Sequence, residues 1–145
     1  FMVIARNKQE DKFTYTLDIS HDEYSYQDYL SFVFYVSSST GGSHPSHSIY
    51  SICYDISSDS IITMEDLVKK DSDLLSKLSR ESRKNLSDNP KIVDYSMMME
   101  GTKEEVSNFS VFAFTPYGIM IFFPQYQVAP YSSGAFKTVI CYDKL

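Results

Sequence analysis

Tryptophan is absent from this 145-residue chain, and cysteine occurs only twice, as Cys53 and Cys141. Neither cysteine has a neighbour at CxxC spacing, so no cysteine metal motif forms. The two could bond if their strands are neighbours; two reduced thiols are an equal reading, and the count leaves the compartment open. No apolar run reaches the 18 or more residues of a membrane-spanning helix. No signal peptide is visible, and the opening Phe1-Met2-Val3 reads as a mature or trimmed segment. Glycine is scarce, at 5 residues. There is no phosphate-cradling loop and no dinucleotide fingerprint, and Gly41-Gly42 reads as a flexible turn. The Gly-x-Ser-x-Gly elbow of many hydrolases is missing too. Positive charge is in deficit: 13 Lys and Arg face 19 Asp and Glu, for a net charge of −6 and a pI near 4.9. Such a surface repels phosphate, which argues against nucleic acid and anionic lipid as partners. It would steer a basic protein, although plain solubility explains the charge as well.

What is present points to a folded, sheet-rich domain. The apolar fraction is 43%, enough for a core, and 12 Tyr and 10 Phe supply flat rings that pack well on pleated surfaces. Tyrosine also carries a polar tip, which suits exposed recognition surfaces. Phe13, Tyr15, Leu17 and Ile19 alternate with polar residues, the period of a half-buried strand. Ser20-His21-Asp22-Glu23 reads as its end. Tyr29 to Val36 is apolar on both faces, which predicts a central strand covered on two sides. Residues 37–48 carry turn formers and no hydrophobic anchor, so a long loop is expected there. Tyr50, Ile52, Tyr54 and Ile56 alternate as a third strand.

Thr63, with Asp66 three residues on, predicts a capping-box helix. Asp71-Ser72-Asp73 then caps a second, with Leu74, Leu75, Leu78 and Leu86 on one side. Asn89-Pro90 ends it. Thr102 to Glu105 reads as a single helical turn. Phe109–Thr115 and Ile119–Phe123 form a hairpin about Pro116-Tyr117-Gly118, and Phe136–Tyr142 is a last strand. The expected architecture is one α+β domain over 1–145, a mainly antiparallel sheet with two helices (about 64–70 and 73–87) on one face.

Candidate chemistry is thin. His44 and His47 lie three apart, but nothing in the spacing supplies a third metal ligand, so no metal and no cofactor is expected. Glu104-Glu105 and Asp22-Glu23 are adjacent pairs, which on a helix point apart and read as solvated charge. Met97-Met98-Met99 reads as core filler. Two loops rich in small residues remain, 37–48 and 127–134. In the second, Pro130 restricts the backbone beside Tyr131 and so preorganises the ring as a binding anchor. The opposing reading folds that ring back onto the sheet.

Three stretches together resemble one family. They are Tyr35 to Pro45 with its Thr-Gly-Gly-x-His core, Tyr54-Asp55 followed by Ile61-Ile62-Thr63-Met64-Glu65-Asp66-Leu67, and Phe114 through Tyr142 with Ala129-Pro130-Tyr131. The chain resembles the C-terminal extracytoplasmic domain of RsiV-type anti-sigma factors. Related domains precede the catalytic part of PdaC-type peptidoglycan deacetylases and form many bacterial lipoproteins and secreted proteins. The resemblance spans about residues 30–145; residues 1–29 match less and read as the remnant of a longer N-terminal half. It implies a secreted or anchored cell-envelope domain that recognises rather than catalyses. In RsiV-type proteins the domain binds lysozyme, a typically basic protein. By that likeness Pro130, Tyr131 and Ser132 lie in one contacting loop, and Ser39, Thr40 and His44 in a second. Cys141 stands where the family usually has Pro. Two other functions compete: an accessory domain that binds peptidoglycan glycan through exposed tyrosines, and a hydrolase using the His44/His47 region.

Overall fold

The computed structural model describes residues 15–145, so Phe13 of the first alternating run lies outside the described residues. Three long strands, β1 (Thr16–Tyr26), β2 (Tyr29–Ser39) and β3 (Ser46–Asp55), pair antiparallel, and a short β4 (Ser60–Ile62) completes a four-stranded sheet in the order β1-β2-β3-β4. Three helices follow: α1 (Met64–Lys70), α2 (Leu74–Ser87) and α3 (Tyr95–Gly101). The chain closes with a three-stranded antiparallel sheet of β5 (Phe112–Thr115), β6 (Gly118–Phe123) and β7 (Phe136–Ile140). The class is α+β, with its strands divided between two sheets. Among the described residues no helix is long and apolar enough to cross a membrane.

Several expectations need correction. β1 does not stop at Ser20; it runs through Ser20-His21-Asp22-Glu23 to Tyr26, paired along its length with β2. It is an edge strand exposed over most of its length, where polar side chains stay hydrated and cost nothing to pair. The expected 37–48 loop shrinks to residues 40–45. Ser37, Ser38 and Ser39 extend β2, and Ser46, His47 and Ser48 open β3. Val36 is only half-buried, and among the described residues nothing covers the face it shares with Leu30, Phe32 and Phe34.

The capping box at Thr63 is present in both directions: the Asp66 amide donates to Thr63 Oγ1, and Thr63 N–H donates to Asp66 Oδ2 at 3.0 Å. Thr102-Lys103-Glu104-Glu105 is not a helical turn. Thr102 closes α3, its hydroxyl donating to the Met98 carbonyl at 2.7 Å while accepting from Arg83 Nε at 2.9 Å. Residues 106–109 instead form a 3-10 turn, and β5 begins only at Phe112.

The main core lies between the helices and the second sheet, around Met64, Leu78, Met98, Phe109, Ile121 and Phe123. A smaller one, Val33 with Ala113 and Phe122, joins the two sheets. The junction is polar at the backbone. β5 presents its edge to the first sheet, whose side chains satisfy it: the Phe112 and Phe114 amides donate to Ser51 Oγ (2.9 Å) and Ser31 Oγ (3.0 Å). Cys53 Sγ donates to the Phe112 carbonyl at 3.2 Å. Burial pushes the Cys53 thiol up to about 11, so the sulfur stays a donor. Cys53 is buried, Cys141 is exposed, and both are free.

Candidate functional site

Strand period places Asp18, Ser20, Tyr35, Ser37, His47 and Ile49 on the face of the first sheet that looks toward the second. Near the junction that face is apolar or capped by β5. Toward the 40–45 loop it is polar and uncovered by strands. The β6–β7 connection, residues 124–135, closes over a cavity of about 560 Å³ through Gln125 and Ala135. Asp18, Ser20, Tyr35, Ser37, His47 and Gln125 contribute its polar lining, with Ile49 and Ala135 as apolar wall.

The roof is held from both sides. Val128 and Ala129 are buried in the core, and Gln127 Nε2 donates to the carbonyls of Gly101 (2.9 Å) and Asn108 (2.8 Å). Pro130 sets the chain for a 3-10 turn over Tyr131–Ser133, which ends at Gly134 with φ of 80°, a conformation glycine adopts without strain. Gln125 Nε2 donates to the Tyr131 carbonyl at 3.3 Å, while its own Oε1 is buried without a partner among the described residues.

Tyr131 neither projects freely nor folds away. It is half-buried, and its hydroxyl donates to the Pro45 carbonyl at 3.0 Å, tying the two loops together. Three rings surround it: His44 at 5.3 Å, Tyr126 at 5.5 Å and His47 at 6.3 Å between centroids. Tyr126 is held at φ of 69° and is 64% exposed, so it offers an open ring face beside Tyr131. Of the expected residues, Pro130, Tyr131 and His44 therefore meet at one end of the molecule. Ser132 is exposed on the roof. Ser39 is the last residue of β2, paired with Thr16 rather than looped out, and Thr40 follows it exposed.

Sequence reasoning missed Asp18, Ser37, His47, Gln125 and Tyr126 as a group. Asp18, Ser37 and His47 are lateral neighbours on three adjacent strands, forming a polar row across the cavity. Serine sits between the acid and the histidine, which is not the order in which a histidine relays a serine proton to a carboxylate. No hydrogen bond joins the three among the described residues, where no group of His, Cys, Asp and Glu is fit to hold a metal. Farther along the same face, the Tyr35 hydroxyl donates to Asp22 at 2.9 Å. Burial raises that phenol's pKa, and the Asp22 carboxylate adds to it, so Tyr35 stays a neutral donor. A signal for Tyr126 existed in the sequence, as a ring between Pro124 and Pro130, five residues before Tyr131.

Comparison with known proteins places this architecture. The profile of a family described as "Protein of unknown function (DUF3298)" matches residues 65–143. Over 90 residues the chain is 36% identical to the peptidoglycan-N-acetylmuramic acid deacetylase PdaC of Bacillus subtilis (strain 168), a match taking in 61% of this chain and 19% of that protein. Two crystal structures share the fold. A DUF3298 family protein from Pseudomonas aeruginosa PAO1 aligns with a TM-score of 0.58 at 15% identity, over 90% of this chain and 60% of that one. A member of the family from Bacteroides fragilis NCTC 9343 aligns with a TM-score of 0.66 at 18% identity, over 90% and 52%. The chain thus spans a minor part of the curated relative and little more than half of each solved one.

Proposed function

We propose that this chain, which belongs to the DUF3298 family, is a non-catalytic recognition domain of the bacterial cell envelope whose ligand is the glycan of peptidoglycan. The observation that carries the reading is the joining of an exposed ring rim to a polar cavity. Sugars present apolar ring faces and equatorial hydroxyls, and they are held by aromatic stacking together with short polar side chains. Tyr126 and Tyr131 offer the rings; His47, 6.3 Å from the Tyr131 ring, leads to Ser37 and Asp18, which offer acceptors and donors in a row along the cavity. The likeness to a peptidoglycan deacetylase supports the same ligand and an extracytoplasmic location.

The test is retention of the purified chain on insoluble peptidoglycan, with soluble glycan fragments as competitors. Tyr126→Ala should release most of the bound protein without moving the melting temperature, since that ring is largely exposed. Retention of Tyr126→Ala together with Tyr131→Ala at the level of the unaltered chain would end the glycan reading.

A second reading is favoured by a different observation. Net charge is −6, and among the described residues Asp18 and Asp22 have no ion-pair partner. That surface, with the resemblance to RsiV-type domains, fits a basic protein such as lysozyme seated on the Pro130–Ser132 and 40–45 loops. Calorimetry against several lysozymes separates the two. Protein recognition should weaken steeply with salt, whereas a neutral glycan's binding should not.

A further inference from the structure

The face of the first sheet opposite the cavity carries a different surface. Strand period gathers Leu17 and Ile19 from β1, Leu30, Phe32, Phe34 and Val36 from β2, Tyr50 and Ile52 from β3, and Ile61 from β4. These are side-by-side partners: Ile19 is opposite Val36, and Phe32 is opposite Ile52. Leu17, Ile19 and Ile61 are each more than 60% exposed. The same period turns Asp18 and Asp22 away to the cavity side. Glu23 is the one carboxylate of β1 on this face, at its outer edge, where it meets His21 at 3.2 Å. Among the described residues this acidic chain thus has one broad face almost free of charge.

The geometry points to a second copy of this chain as the occupant, packed sheet against sheet about a two-fold axis. This inference stands apart from the glycan reading, since the two use opposite faces. Three strands of 10 or 11 residues make the face. At about 4.8 Å between strands and 3.3 Å per residue they cover roughly 500 Å² per copy. Two copies bury on the order of 1,000 Å², the lower bound of a specific interface. A two-fold interface must be self-complementary, and an apolar twisted sheet meets its own copy at about 30° without setting like charges together. Net charge then acts only at long range, so salt should strengthen association.

Analytical ultracentrifugation of the chain tests this. The expected mass is twice the 16.7 kDa of one chain, falling to one chain on dilution, with tighter association in high salt. Ile52→Glu should weaken the dimer about tenfold or more, because a buried unpaired carboxylate on each side must be desolvated. Tyr50→Glu, at a more exposed position, should do the same if Ile52→Glu melts early. Tyr117→Glu, in the exposed β5–β6 turn, should leave it unchanged. Sedimentation of the unaltered chain as a monomer up to roughly 100 µM, where a dimer with a dissociation constant of about 10 µM would be mostly assembled, would overturn the inference. So would a dimer that survives both glutamate substitutions.

Discussion

Gly101→Ala is the substitution that most sharply tests how the roof of the cavity is held. Gly101 is the last residue of α3, and helix propensity alone says that alanine there should stabilise by up to about 1 kcal/mol. Packing says the opposite. A methyl at Gly101 would stand 2.7 Å from the carbonyl carbon of Gln127 and 3.0 Å from Val128 Cγ1, and nearer still to the Gln127 oxygen. Carbon atoms in comfortable contact lie about 3.5–4.0 Å apart, so the roof segment must retreat by about 1 Å. The obstacle is backbone, which cannot swing aside as a side chain can. It is also pinned on its far side by buried Val128 and Ala129. Retreat would stretch the Gln127 bond to the Gly101 carbonyl, now 2.9 Å. Overpacking of this kind costs about 3 kcal/mol, which outweighs the helical gain and leaves a net loss of about 2 kcal/mol. For a domain of this size that is a fall in melting temperature of roughly 6 °C. Scanning calorimetry reads the fall, and amide exchange should rise across residues 124–135. A melting temperature equal to or above that of the unaltered chain would refute the claim that α3 carries the roof.

Three other outcomes follow from the same contacts. Ser31→Ala leaves the buried Phe114 amide without its acceptor and should cost about 1–3 kcal/mol in a denaturant titration; a cost near zero would mean the two sheets are not joined through that bond. Asp66 is held below its ordinary pKa by the Thr63 hydroxyl, and Asp71 by Lys77. Carboxyls depressed in the folded state lend stability that is present above their unfolded value and lost as pH falls through the folded one. Melting temperature should therefore hold from about pH 7 to 5 and drop below about pH 4, whereas a profile flat to pH 3 would contradict it. Finally, Cys141 should take up a thiol reagent at pH 8 in the native chain and Cys53 only after unfolding, read as one and then two adducts by mass spectrometry; two rapid native adducts would contradict the burial of Cys53.

The parts of the fold legible in the sequence are those whose cause is local. The Thr63–Asp66 box, the leucine stripe of α2 and the turn at Pro116-Tyr117-Gly118 each depend on residues within a few positions of one another. α3 was missed because its apolar run, Met97-Met98-Met99, has no helical period. The remaining local sign was Asp94, whose carboxylate accepts the Met97 amide at 3.0 Å. Division of the strands into two sheets depends on Ser31, Ser51 and Cys53 meeting β5 about 60 to 80 residues later, and no window of sequence carries that. For the same reason Pro130, Tyr131 and His44 could be named from residue types and resemblance, while the row beneath them could not.

The misread ends of β1, β2 and β3 supply much of the site, and strand length explains why. β1, β2 and β3 have 10 or 11 residues each, whereas β5, which crosses their inner face at Ser31 and Ser51, has four. At about 3.3 Å per residue, β5 spans some 13 Å against 33 Å or more. The second sheet therefore covers the strands near the helices and leaves their far ends to the 124–135 roof. Strand ends that face a water-accessible cavity need no apolar side chains, so Asp18 and Ser20 in β1, Ser37 in β2 and His47 in β3 are tolerated there. In sequence Ser20, Ser37 and His47 break the hydrophobic alternation and look like turns, whereas Asp18 passes as the polar half of that alternation. Polar interruptions that nevertheless pair in full register mark where a sheet has been lengthened past its core, and here that excess length is what builds the floor of the candidate site.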